Sequence, residues 1–141
     1  MFRTLISLII SIFPSICLGD YDWKLITKSD NGDFYVDMKS LTIKNDIRFF
    51  LRLRDYKKID KYGEKSNIIY FETDCKKFKT RFLRDMYFEE HMGMGKSKTL
   101  NEVGEWITIQ KNSIGEYFNN FICSIKTVSY THLTLPTTPY V

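Results

Sequence analysis

Apolar and polar residues alternate through much of the chain after residue 22, and a period of two predicts strands. Trp23 to Lys28 is β-favouring, Ser29, Asp30, Asn31 and Gly32 form a cluster of turn residues, and Phe34 to Val36 resumes the pattern, which together predict a hairpin. Met38 to Leu41 is a short connection, Thr42 and Ile43 a stub of strand, and Lys44 to Asp46 the next turn. The clearest alternation lies in Ile47 to Asp55. There Phe49, Leu51 and Leu53 interleave with Arg48, Arg52 and Arg54, so one side of this strand is expected to be core and the other a solvated basic face.

Tyr56 to Lys65 is charged, contains Gly63 and has no period, so a loop is expected. Ile68 to Asp74 reads as a strand that Cys75 closes, and Lys79 to Phe88 as its partner, although Arg84 on the side shared by Phe82, Met86 and Phe88 breaks the alternation. Glu89 to Glu105 reads as a mobile loop, and Trp106 to Gln110 as a last strand. A single helix follows. Ser113 with Glu116 forms a capping box, and Ile114, Tyr117, Phe118, Phe121, Ile122 and Ile125 recur at helical spacing as an apolar stripe expected to lie on the sheet. The fold class is therefore α+β and mainly antiparallel β: about six strands in one sheet, with a C-terminal helix packed on it.

At 141 residues the chain has the length of one domain. Its first residues change where that domain is expected to begin. Arg3, the apolar run Leu5 to Leu18 interrupted by Pro14, and the small Gly19 before Asp20 have the order of a secretory signal, so residues 1–19 are expected to be removed. The run is shorter than the roughly 20 residues of a membrane span, and no stable span is expected after cleavage. Cys17 offers a lipidation site, with Ile16 an unsuitable neighbour for it; cleavage after Gly19 removes Cys17 altogether.

Cys75 and Cys123 then remain, and an even cysteine count in an exported chain predicts one disulfide. Two distant cysteines without paired histidines make a poor zinc set, and no metal or cofactor is expected. Cys123 stands to one side of the helical stripe. Either the helix ends before it or the bridge clamps the helix from its flank. Without Arg3 the chain carries 20 Lys and Arg against 17 Asp and Glu, a net charge of +3, too small to point to nucleic acid.

These residues resemble the bacterial surface-adhesin protein E family from about Trp23 to Cys123. The likeness is carried by the order of Trp23, Tyr35, Asp37 and Ser40, Asp55 and Tyr56, Ser66, the run Glu72, Asp74, Cys75, then Tyr87, Gly93 and Gly95, Trp106, Ser113 and Cys123. The resemblance implies an exported protein of the periplasm or outer cell surface, mainly antiparallel β with a helix near the C-terminus, some of whose relatives bind host matrix or serum proteins. The domain it implies is expected to span residues 20–126. The uncharged tail 127–141 has no counterpart in the family and is expected to be flexible or a sequencing artefact outside the fold.

Candidate chemistry is sparse. His91 and His132 are the only histidines and follow no nucleophile or metal motif; Glu72 with Asp74, and Glu89 and Glu90 with His91, form no complete catalytic or metal set. An enzyme is not expected. Arg48, Arg52 and Arg54, with Lys57 and Lys58, are expected to present cations to an acidic protein segment or a sulfated glycan, in contacts that weaken with salt. Replacing the three arginines by serine is expected to leave thermal stability nearly unchanged. A periplasmic accessory protein working through the loop Glu89 to Glu105 is the alternative.

Overall fold

Two turn residues, Asp30 and Asn31, bring β1 (Trp23–Ser29) against β2 (Gly32–Asp37), with Ser29 opposite Gly32. Gly32 has φ 152°, and a Cβ there would meet the Asp55 carbonyl oxygen at 2.5 Å, so glycine lets β2 close tightly on the next long strand. The computed structural model describes residues 20–127; the candidate signal segment 1–19 and the tail beyond residue 127 lie outside the described residues. After β3 (Thr42–Lys44) and a turn with Asn45 at φ 53° come β4 (Ile47–Tyr56), β5 (Ser66–Asp74) and β6 (Lys79–Phe88). The sheet is antiparallel in the order β1-β2-β4-β5-β6-β7, where β7 is Ser97–Leu100. β3 fills the rest of the β4 edge, and β8 (Ile107–Thr108) pairs with the start of β6.

Register explains the broken alternation of β6. Phe71 faces Phe82 while Tyr70 faces Arg84, so a bulge adds one residue to β6. Phe82 therefore shares the face of Phe50 and Phe71, whereas Arg84, Met86 and Phe88 fall on the face of Leu53 and Ile68.

Both faces of the sheet are covered. On one, α1 (Ile114–Ser124) packs Phe118 and Ile122 onto Phe34, Val36, Phe50 and Phe71, with the Phe50 and Phe118 rings stacked 6.1 Å apart. On the other, Leu53, Ile68 and Phe88 are buried beneath Tyr21, Trp23 and Met92. The expectation that Glu89 to Glu105 is a featureless mobile loop is corrected: it holds a 3-10 turn at His91–Gly93 and strand β7 (Ser97–Leu100). Asp55 Oδ1 accepts from the Met92 N–H at 2.9 Å, and Ser66 Oγ accepts from the Gly93 N–H at 2.9 Å. Gly93 has φ 69° and lies so close to the sheet that a Cβ would come 2.7 Å from Ile68 Cδ1. The last strand is shorter than its apolar pattern suggests, because only Ile107 and Thr108 reach the β6 edge.

The helix starts where its sequence says. Ser113 Oγ accepts from the Glu116 N–H at 3.2 Å, while Glu116 Oε1 reaches back to the Asn112 N–H at 3.4 Å, one residue earlier than in the standard box. Tyr117 departs from the expected stripe and is 57% exposed, whereas Asn119 is buried. The helix continues through Cys123, which is joined to Cys75 with Cα atoms 5.8 Å apart, so the bridge clamps it from the flank.

Candidate functional site

The arginines of β4 lie on the same side as Phe50, the side that α1 covers, and the expected solvated face is corrected on this point. Arg48 is 3% exposed. Its Nε donates to the Ile122 carbonyl at 3.3 Å and its Nη2 to the Ile125 carbonyl at 3.1 Å, with Nη1 on the Asn45 carbonyl at 2.6 Å. The Ile122 carbonyl also accepts from the Ile125 N–H at 3.3 Å, so Arg48 adds a second donor there, reaches the Ile125 carbonyl just past the helix, and ties both to the β3–β4 turn as a structural residue.

Arg52 and Arg54 sit further along the strand, Arg52 beside the middle of the helix. The Arg52 guanidinium lies 4.7 Å from the Phe71 ring centre, 5.4 Å from Phe34 and 5.8 Å from Phe118. Burial lowers its pKa to about 10, the neighbouring Arg54 adds to the shift, and Asp85 and Tyr56 oppose it. Arg54 rests 4.8 Å from the Tyr56 ring centre and 5.6 Å from that of Phe34, its only hydrogen bond among the described residues being a long one, 3.5 Å, to the Asn31 carbonyl.

Arg54, Tyr56 and the exposed Lys58 line an open depression of about 290 Å³ together with Asp30, Asn31 and Asp60. Lys57 points elsewhere, 4.0 Å from Asp33 Oδ1. Of the five cations singled out in the sequence, the fold thus brings Arg54 and Lys58 to one opening, places Arg52 behind it, and separates Arg48 and Lys57.

A polar strip continues from Arg52 across the sheet. Asn67 Nδ2 donates to Asp85 Oδ1 at 3.3 Å. Burial raises the Asp85 carboxyl above its ordinary pKa, against hydrogen bonds from Tyr87 and Asn67 and the charge of Arg52. Burial also raises the Glu64 carboxyl, with Asp60 adding to the effect. Asp60 itself is held below its ordinary value: burial pushes it up, but the N–H groups of Glu64 and Tyr62 donate to Oδ1 at 2.8 and 2.9 Å and prevail. Asp30, Asp60, Asn67 and Asp85 were not apparent from the sequence as parts of this region. For the last two, the available signal was polar residues at inward positions of strands otherwise filled with Ile, Phe and Tyr.

The remaining candidates have structural partners. His91 Nδ1 bonds Asp55 Oδ1 at 2.9 Å and Glu90 pairs with Lys65 at 3.3 Å, so neighbouring residues diverge to different elements. Glu72 is held by Arg81 Nη2 through both carboxylate oxygens at 3.1 Å, and Asp74 accepts from the N–H groups of Lys76 and Lys77.

A disulfide-clamped antiparallel sheet with one covering helix, and a depression at which Arg54, Tyr56 and Lys58 meet Asp30 and Asp60, defines a small α+β domain. The chain matches the family model of surface-adhesin protein E over residues 23–124 and belongs to that family. Protein E of Haemophilus influenzae in its crystal form II has the same fold, with a TM-score of 0.59 at 16% identity, covering 72% of this chain and 87% of that one. The crystal structure of protein E from non-typeable Haemophilus influenzae gives 0.58 at 15% identity, with 80% and 82% covered. Comparison with curated protein sequences finds no significant match. As a member of a surface-adhesin family the protein is exported to the cell envelope. Among the described residues no helix is long and apolar enough to cross a membrane.

Proposed function

We propose that this protein is a surface adhesin that binds acidic segments of host matrix or serum proteins through the depression formed by Arg54, Tyr56 and Lys58. The supporting observation is the placement of Arg54. It is a cation laid on aromatic rings, with one long hydrogen bond among the described residues, beside a second exposed cation. A guanidinium so oriented has donors available for a carboxylate in forked geometry. Asp30 and Asp60 on the same opening repel a uniform polyanion, which favours a protein segment of mixed polarity over a sulfated glycan.

Protease added to intact cells, followed by adhesion of those cells to a matrix-coated surface, tests the reading. Digestion with loss of adhesion is expected. Protection of the protein from external protease contradicts an adhesin and leaves the periplasmic accessory role.

A further inference from the structure

We infer that the slot between α1 and the sheet, with Arg52 and Asn119 as its donors, is a carboxylate-binding site distinct from the Arg54 and Lys58 depression. The slot has a volume of about 80 Å³, is open to solvent, and has Phe50, Phe71 and Phe118 as its apolar walls.

Its polar groups divide into those already engaged and those still available. Thr80 Oγ1 donates to the Glu72 carbonyl at 3.2 Å, which leaves the Thr73 hydroxyl as the donor in the 2.9 Å bond between the two threonines. Both hydroxyl protons are thus used. Arg52 differs: its Nε is buried without a hydrogen-bond partner among the described residues, and none of their ion pairs includes it. Asn119 is also buried, and its nearest polar contact is Oδ1 at 3.3 Å from Cys123 Sγ. A sulfur in a disulfide carries no proton, so this contact is no hydrogen bond, and the carboxamide N–H groups remain available.

The guanidinium supplies only donors and the carboxamide two N–H donors beside one acceptor, and the guanidinium is a cation at neutral pH that no carboxylate of the described residues meets at contact distance. Such a group is costly to hold between rings unless an anion joins it. The volume selects which anion. Space for roughly three waters accepts a carboxylate on a short apolar stem and excludes a sulfated sugar ring. An acidic side chain and a chain-terminal carboxylate share this chemistry. The biological partner rests on the binding-module reading above, whereas the site itself does not.

Sodium propionate titrated into the labelled purified protein, with amide NMR shifts as readout, tests the site without reference to adhesion, using propanol and sodium chloride as controls. Saturable shifts at Arg52, Thr73, Gly115 and Asn119 are expected with propionate and with neither control. Arg52→Met is expected to weaken binding by about tenfold or more. So is Gly115→Leu, which closes the mouth opposite Ile109 while leaving the charge in place; a Cβ at Gly115 meets only ordinary contacts, the nearest at 3.5 Å. Arg54→Ser and Lys58→Ser are expected to retain propionate binding. Equal binding by Arg52→Met and Gly115→Leu, or binding of propanol as tight as that of propionate, overturns the inference. Acidic peptides with free and amidated C-termini separate the two sources: loss on amidation assigns the terminal carboxylate, and no loss assigns the side chain. Failure of both peptides to displace propionate overturns the site as a partner contact.

Discussion

Arg48 Nε donates to the carbonyl of Ile122, 74 residues away in sequence, so strand β4 holds the end of α1. Removing this side chain takes a donor from the Ile125 carbonyl and one of two donors from that of Ile122, and breaks the tie between β4 and the helix end. Arg48→Met is expected to lower the unfolding free energy by about 2 to 4 kcal/mol, measured by urea denaturation, while Arg54→Ser changes it by less than about 1 kcal/mol. Near-equal effects would refute the division of the β4 arginines into a structural and a binding group. The triple serine variant is accordingly expected to be unstable, contrary to the reading from sequence.

The Cys75–Cys123 bridge closes a loop with a sequence separation of 48 and ties the helix to the β5–β6 turn. Chain entropy gives it a stabilisation of about 4 kcal/mol. The Cys75→Ser/Cys123→Ser pair is expected to lose that amount in a denaturant titration, and α1 is expected to show the largest gain in hydrogen exchange.

Arg52 sits among three aromatic rings at a cost, since burial disfavours its charged form. Its folded-state pKa is lowered, so the contribution that this shift makes to stability appears only above about pH 10 and is missing at neutral pH. Arg52→Met, with a side chain that fits the same rings, is expected to leave the protein no less stable and up to about 1 kcal/mol more so at neutral pH. A loss of more than about 2 kcal/mol would mean that its cation–π contacts outweigh the burial cost.

Asp85 gives a pH signature of the polar strip. Burial raises its folded-state pKa above the ordinary carboxylate value, so the stability it contributes is complete below the unfolded pKa and is lost as pH rises through the folded one. Urea midpoints measured from about pH 3 to about pH 7 are expected to rise for Asp85→Asn relative to the natural chain. The attraction of Arg52 for the ionised carboxyl is contained in the same shift and reduces that slope without reversing it.

Local patterns revealed most of the sheet. The turn at Asp30 and Asn31, the bounds of β6, the Ser113 cap and the pairing of Cys75 with Cys123 all depend on neighbours in sequence or on cysteine arithmetic. The orientation of β4 does not. A period of two shows that Arg48, Arg52 and Arg54 share a face but not which face a distant helix will cover, and here both are covered. Phe50, standing between Arg48 and Arg52, is the one local sign that their face is inside. The order in Glu89 to Glu105 was unreadable for a similar reason: Asp55 and Ser66, which hold Met92 and Gly93, lie on other strands. The sequence groups Lys57 and Lys58 alike with Arg54, and only the course of the β4–β5 loop separates them, sending Lys58 to the depression and Lys57 to Asp33.

Binding of the purified protein to an immobilised matrix-protein preparation, compared with that of Arg54→Ser/Lys58→Ser, addresses the adhesin reading most directly. The natural chain is expected to bind with an affinity that falls as salt rises, and the double variant to bind about tenfold more weakly with an unchanged melting temperature. Equal binding by the two proteins at low salt would contradict a role for the depression in adhesion.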